Sequence, residues 1–117
     1  MADADLISRG DVWLVDLEPI RGSEMGKRRP CLVISNDVAN RYSSVVTVAA
    51  ITSVHPSKNY PFMVEIPERV GMPKRSWVTC AHIRTVSKDR LEKLFANLDE
   101  TTMKKVNEAI EIQLGLQ

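Results

Sequence analysis

Apolar and polar positions alternate over residues 12–17, Val12-Trp13-Leu14-Val15-Asp16-Leu17, a period that predicts a strand with at least one buried face. Glu18-Pro19 stops it, because proline has no N–H to give a ladder. Residues 31–34, Cys31-Leu32-Val33-Ile34, form an apolar run that suits a central strand. Ser35-Asn36-Asp37 offers turn and N-cap chemistry, and residues 38–42 fit one short helical turn. The β-branched and small residues of 45–51 predict a third strand, followed by a loop over 52–60 and a fourth strand over 62–66. Beyond a turn-rich stretch through Gly71-Met72-Pro73, residues 76–80 and 83–86 read as two more short strands.

The period then changes. Ser87 is positioned to cap a short helix through Phe95, with Leu91, Leu94 and Phe95 on one side. Asp99 caps a longer helix in which Met103, Val106, Ile110 and Leu114 recur at three-to-four spacing, with Gly115 as its stop. Many short strands followed by terminal helices predict an α+β fold, mainly antiparallel β, a small barrel with a C-terminal helix packed on it. Residues 1–8 read as a flexible tail and 9–117 as a single domain. The gaps between strands leave no room for crossover helices of about 10–12 residues, so a parallel doubly wound fold is disfavoured.

Composition narrows the function classes. Hydrophobic residues at 44% allow a real core without metals or disulfides, while aromatics at 5% weaken any model of several bases stacked on exposed rings. A formal charge of +1 argues against a protein that coats nucleic acid by bulk electrostatics, so a phosphate site has to be local. Cys31 and Cys80 lie in apolar runs without close spacing and read as buried thiols of a reducing compartment. No apolar run approaches the roughly 18 residues of a membrane span, and a cytoplasmic location is expected.

The local charge lies in residues 22–30, Gly22-Ser23-Glu24-Met25-Gly26-Lys27-Arg28-Arg29-Pro30, read as a loop between the first two strands. Two glycines let the main chain approach a ligand, and Lys27, Arg28 and Arg29 supply charge-assisted donors to phosphate oxygens. Zinc-spaced Cys/His clusters, a P-loop and a G-x-S-x-G elbow are all missing, so no metal or cofactor is expected. His55 precedes a proline in a loop and reads as solvated, whereas His82 falls between two strands, where its ring can meet a base or a phosphate. Taken singly, Arg29 fits a salt bridge at a strand entrance, Glu24 a solvated turn carboxylate and Thr52 a loop cap.

Together these residues form a pattern. Arg9-Gly10-Asp11-Val12-Trp13, GSEMGKRRPCLVISND at 22–37, VAAIT at 48–52, NYPFMVEI at 59–66 and HIRTVSKDRL at 82–91 resemble the MazF/PemK toxins, the ribonuclease halves of bacterial toxin–antitoxin pairs. The resemblance implies an SH3-like barrel, a homodimer, metal-independent cleavage of single-stranded RNA at a short sequence, and neutralisation by a cognate antitoxin. The family's arginine before proline corresponds to Arg29, its threonine after the third strand to Thr52, and its loop carboxylate to Glu24. These three are the expected catalytic residues; Ser23, Lys27, Arg28, Pro30, Asn36, Ser53 and His82 are the expected RNA contacts. Met25 and His82 stand where relatives commonly carry glutamine, so the family's cleavage sequence does not carry over. The rival readings are a silent SH3-like toxin module that binds a protein partner, as gyrase-poisoning relatives do, and a nonspecific RNA-binding module.

Overall fold

The computed structural model describes residues 7–19, 22 and 27–117. Six strands, β1 (Asp11–Asp16), β2 (Arg28–Val33), β3 (Val45–Thr52), β4 (Met63–Glu65), β5 (Trp77–Ser87) and β6 (Leu91–Asn97), form one antiparallel sheet in the order β4-β5-β3-β2-β1-β6. A short helix α1 (Asp37–Tyr42) follows β2, and the long helix α2 (Glu100–Gln113) closes the chain. This is the expected mainly antiparallel α+β fold. No helix among the described residues is long and apolar enough to cross a membrane.

Strict alternation gives the central strands two buried faces. Val12, Leu32, Ala49 and Ile51 point to a cluster that takes in Val106 and Ala109 of α2. Their neighbours Trp13, Cys31, Val48 and Ala50 point to the other cluster, which also holds Val86 of β5 and Leu91 of β6. The second cluster contains no residue of α1 or α2, yet it joins β5, next to one edge strand of the sheet, to β6, the edge strand on the other side. The sheet therefore curls over its own face, as a small barrel does.

The N-terminal motif is structural. Asp11 is only 5% exposed, and its carboxylate accepts from the Ser8 amide at 2.8 Å, the Trp13 indole at 3.2 Å and the Asn97 side chain at 2.9 Å. Arg9 donates to the Ile34 carbonyl at 2.9 Å and to Asn107 of α2 at 2.7 Å, so it ties the entrance of β1 to the end of β2 and to the last helix. Ile7 is buried in the cluster on the face away from α2.

Several expectations need correction. The runs at 76–80 and 83–86 belong to one strand, β5, because a bulge and not a turn separates them: Ala49 pairs with Ile83 and its neighbour Ala50 with Thr79. Cys80, Ala81 and His82 are extra residues on β5, and even-numbered side chains change face across them, from Val78 and Cys80 in one cluster to Val86 in the other. The short helix expected over 87–95 is instead a 3-10 turn, Lys88–Arg90, followed by β6. Two irregularities in the β1–β6 register break the period of two, and the outer edge of β1 gains its backbone partners there. Leu91 is buried, but Leu94 and Phe95 are exposed, so no helical stripe forms. In α2 the buried face is Thr102, Val106 and Ala109, with Met103 and Ile110 packed beside it; Leu114 lies past the helix and is exposed. Gly115, at φ +68°, ends the helix as expected.

Candidate functional site

The cationic run divides differently from its sequence reading. Ser23, Glu24, Met25 and Gly26 lie outside the described residues. Arg28, Arg29 and Pro30 are not loop residues but the first three of β2, opposite Asp16, Val15 and Leu14 of β1. Lys27, at φ +63°, makes the turn into the strand; its N–H donates to Glu18 Oε1 at 2.7 Å and its carbonyl accepts from Leu17 at 2.9 Å. Arg28 is exposed and held by Glu92 at 2.8 Å, with Asp16 at 3.8 Å, and the hydrogen bond and charge of Glu92 raise its pKa.

Arg29 points elsewhere. The β2–β3 ladder ends at the pair of Cys31 with Ala50; Arg29 precedes that pair on β2 and Thr52 follows it on β3. Both line a cavity of about 410 Å³ together with Pro30, Ser53, Lys74 and Ser76. Thr52 is 8% exposed, and its Oγ1 accepts from the Val54 amide at 3.1 Å, which leaves the hydroxyl proton as the donor this group offers. Thr52 and Val54 also line a second cavity of about 670 Å³, whose wall includes His82, Thr79, His55 and the rings of Tyr60 and Phe62. Two adjoining hollows thus share Thr52. Arg29 stands in one and His82 in the other.

The electrostatics of these hollows favour an anion. Their described linings carry Arg29, Lys74, His55 and His82 and no carboxylate. Beneath Arg29, Cys31 is fully buried; desolvation pushes its thiol up to about 12, against the opposing pull of Arg29 and Arg84. Such a thiol stays protonated and is no nucleophile. Burial likewise pushes Cys80 up to about 11. Among the described residues, no group of three or more His, Cys, Asp or Glu side chains could hold a metal ion.

Of the expected RNA contacts, Pro30, Ser53 and His82 line these cavities. Asn36 does not: it caps α1, accepting the Ala39 amide at 2.9 Å, beyond the other end of β2. Lys74, beside a turn-rich segment without periodic signal, and Ser76, legible only as the first residue of a strand, carry no sequence mark of a site. The Tyr60–Phe62 pair, stacked at 5.1 Å between ring centroids, was legible only as part of the NYPFMVEI run. His55, read as solvated, is exposed but packs its ring edge-on against Trp77 at 4.8 Å.

Comparisons with known proteins bear on this geometry. The family model described as the PemK-like, MazF-like toxin of type II toxin-antitoxin system matches residues 8–114. Endoribonuclease EndoA of Bacillus subtilis is 44% identical over 112 residues, covering 95% of this chain and 97% of that protein. Endoribonuclease MazF of Staphylococcus saprophyticus is also 44% identical over 112 residues, covering 95% and 93%. Among solved structures, MazF from Deinococcus radiodurans superposes with a TM-score of 0.80 at 26% identity, covering 93% of this chain and 96% of that one. A mycobacterial endoribonuclease in complex with its cognate antitoxin gives 0.79 at 27%, covering 95% and 97%. With a family match over nearly its whole length and relatives this similar, the chain belongs to the PemK/MazF family of type II toxin–antitoxin toxins.

Proposed function

We propose that this chain is the toxin of a type II toxin–antitoxin pair, a cytoplasmic, homodimeric endoribonuclease that cuts single-stranded RNA at a short sequence without a metal ion. Relatives named as endoribonucleases support the activity, and the mycobacterial relative solved with its antitoxin supports a cognate antitoxin for this chain. The carrying observation is the meeting of Arg29 and Thr52 at one cationic cavity.

RNA brings its own nucleophile. The 2′-oxygen attacks the adjacent phosphorus and loses its proton, the bond from phosphorus to the 5′-oxygen breaks, and that oxygen takes up a proton. The products are a 2′,3′-cyclic phosphate and a 5′-hydroxyl. The protein has to orient the sugar and stabilise the phosphorane. Arg29 presents a planar fork of N–H donors to the phosphorane oxygens; a guanidinium donates and does not accept, so it is not the base. The Thr52 hydroxyl holds the scissile phosphate or the 2′-hydroxyl. Glu24 is the candidate proton acceptor, and Lys27, Arg28, Ser23, Pro30, Asn36, Ser53 and His82 are candidate RNA contacts. His82, re-aimed by the bulge into the second cavity, suits a base edge, since a neutral imidazole offers one donor and one acceptor.

The test uses a long mixed-sequence RNA with mapped 5′ ends. Cleavage is expected to proceed equally in excess chelator and to stop when the nucleotide immediately 5′ to the cut is 2′-deoxy. Cutting that survives the deoxy substitution sinks the mechanism; absence of any cutting favours a module that acts by binding a protein.

A further inference from the structure

Two arginines distant in sequence converge on the stretch where the chain leaves β1. Arg84 of β5 donates to the Leu17 carbonyl at 2.6 Å, and Arg90, in the 3-10 turn before β6, donates to the carbonyls of Asp16, at 3.1 Å, and Glu18. Three consecutive backbone acceptors are thereby satisfied by two guanidinium groups. The same stretch grips the returning chain, through the Leu17 amide to the Lys27 carbonyl and the Lys27 amide to Glu18. Two residues beyond Lys27 stands Arg29.

Arg84 also occupies a telling position on its own strand. It lies two residues after His82, just past the bulge, and lines a cavity of about 160 Å³ with Leu17, Cys31 and His82. One side chain therefore spans from the strand that carries His82 to the stretch that steers Lys27 and Arg29. It lines neither of the two cavities offered to RNA.

We propose that Arg84 is a positioning residue: through Leu17 and Lys27 it fixes the entrance of β2, and with it the placement of Arg29 relative to His82. The consequence for rate rests on the nuclease reading above; the structural part does not. A misplacement of about 1 Å at a reacting centre can cost about 100-fold, so the loss of one anchoring bond reads out mainly in kcat.

The experiment compares wild type with Arg84→Met, which keeps the apolar stem, and Arg84→Lys, which keeps one charged donor. Amide hydrogen exchange is measured alongside kcat and KM on the mapped RNA. Arg84→Met is expected to lower kcat about 10- to 100-fold with little change in KM. The Leu17 and Lys27 amides are expected to lose protection while those of β3 keep it. Arg84→Lys is expected to restore most of both, since the bond to Leu17 needs a single donor. Wild-type kcat in Arg84→Met overturns the proposal, as does a rise in KM at unchanged kcat, which would make Arg84 a direct RNA contact. Equal loss of protection in β3 overturns it too, as the mark of general destabilisation. Should Arg84→Met not fold, Arg84→Gln carries the same measurements. Should wild type cut no RNA, the function proposed above fails, and the exchange of Leu17 and Lys27 alone decides whether Arg84 anchors the entrance.

Discussion

Arg29 and Thr52 are 23 positions apart, and each alone has an ordinary explanation. What singles them out is the cavity they line together, where a fork of donors and a hydroxyl can face the same phosphate. Arg29→Ala and Thr52→Ala are expected to leave the circular-dichroism spectrum of the folded chain intact and to slow single-turnover cleavage, by about 10²–10³-fold for Arg29. Arg29→Lys is expected to recover little, because an ammonium cannot reproduce a planar fork; full recovery would reduce Arg29 to a point charge. The residue types of this pair were legible in the sequence. Its neighbours were less so: the run Lys27-Arg28-Arg29 reads as three equivalent cations, yet one turns the chain at positive φ, one is clamped by Glu92, and one reaches the cavity. Alternation of side chains along a strand separates Arg28 from Arg29, whereas the sequence pattern places both in a loop.

At the scale of elements, a regular period marks its element and an interrupted one does not. β1, β3 and α2 carry uninterrupted patterns, and each forms where its pattern predicts. The sequence pattern divides β5 in two and gives β6 the period of a helix, in both cases because bulges shift the parity of buried positions. The bulge in β5 is also the feature that aims His82, so the place where the pattern fails is the place where the site is built. Helix α2 offers a separate test. Its N-cap Asp99 accepts the Thr102 amide at 2.8 Å and pairs with Arg69 at 2.6 Å; the hydrogen bonding of Thr102, then Arg69, lowers its pKa from 3.8 to about 2. A carboxylate depressed on folding stabilises above its unfolded pKa, and that contribution is lost as pH falls toward the folded value. The urea midpoint is therefore expected to fall between about pH 4 and pH 2. Asp99→Asn keeps a cap acceptor but cannot titrate, so its midpoint is expected to fall less steeply over that window; an identical slope would remove Asp99 from the account.

For the whole molecule, stability and function draw on different residues. Leu32, fully buried in the cluster under α2, is expected to cost about 2–5 kcal/mol on replacement by alanine, measured by urea unfolding, while the mapped cleavage site of the folded fraction stays the same. A shifted cleavage site would mean that core packing and the RNA surface are coupled. The amino-acid sequence by itself determined the class of fold, because alternation, caps and stops are local quantities that each segment carries within a few residues. It also determined the chemical inventory: one cationic run, a threonine at a strand end, two histidines, and no metal-spaced cluster. Which of those groups meet was decided only by tertiary structure. Register between strands and the parity shift at the β5 bulge depend on hydrogen bonds and packing between segments tens of residues apart. No window along the chain contains both partners of such a contact.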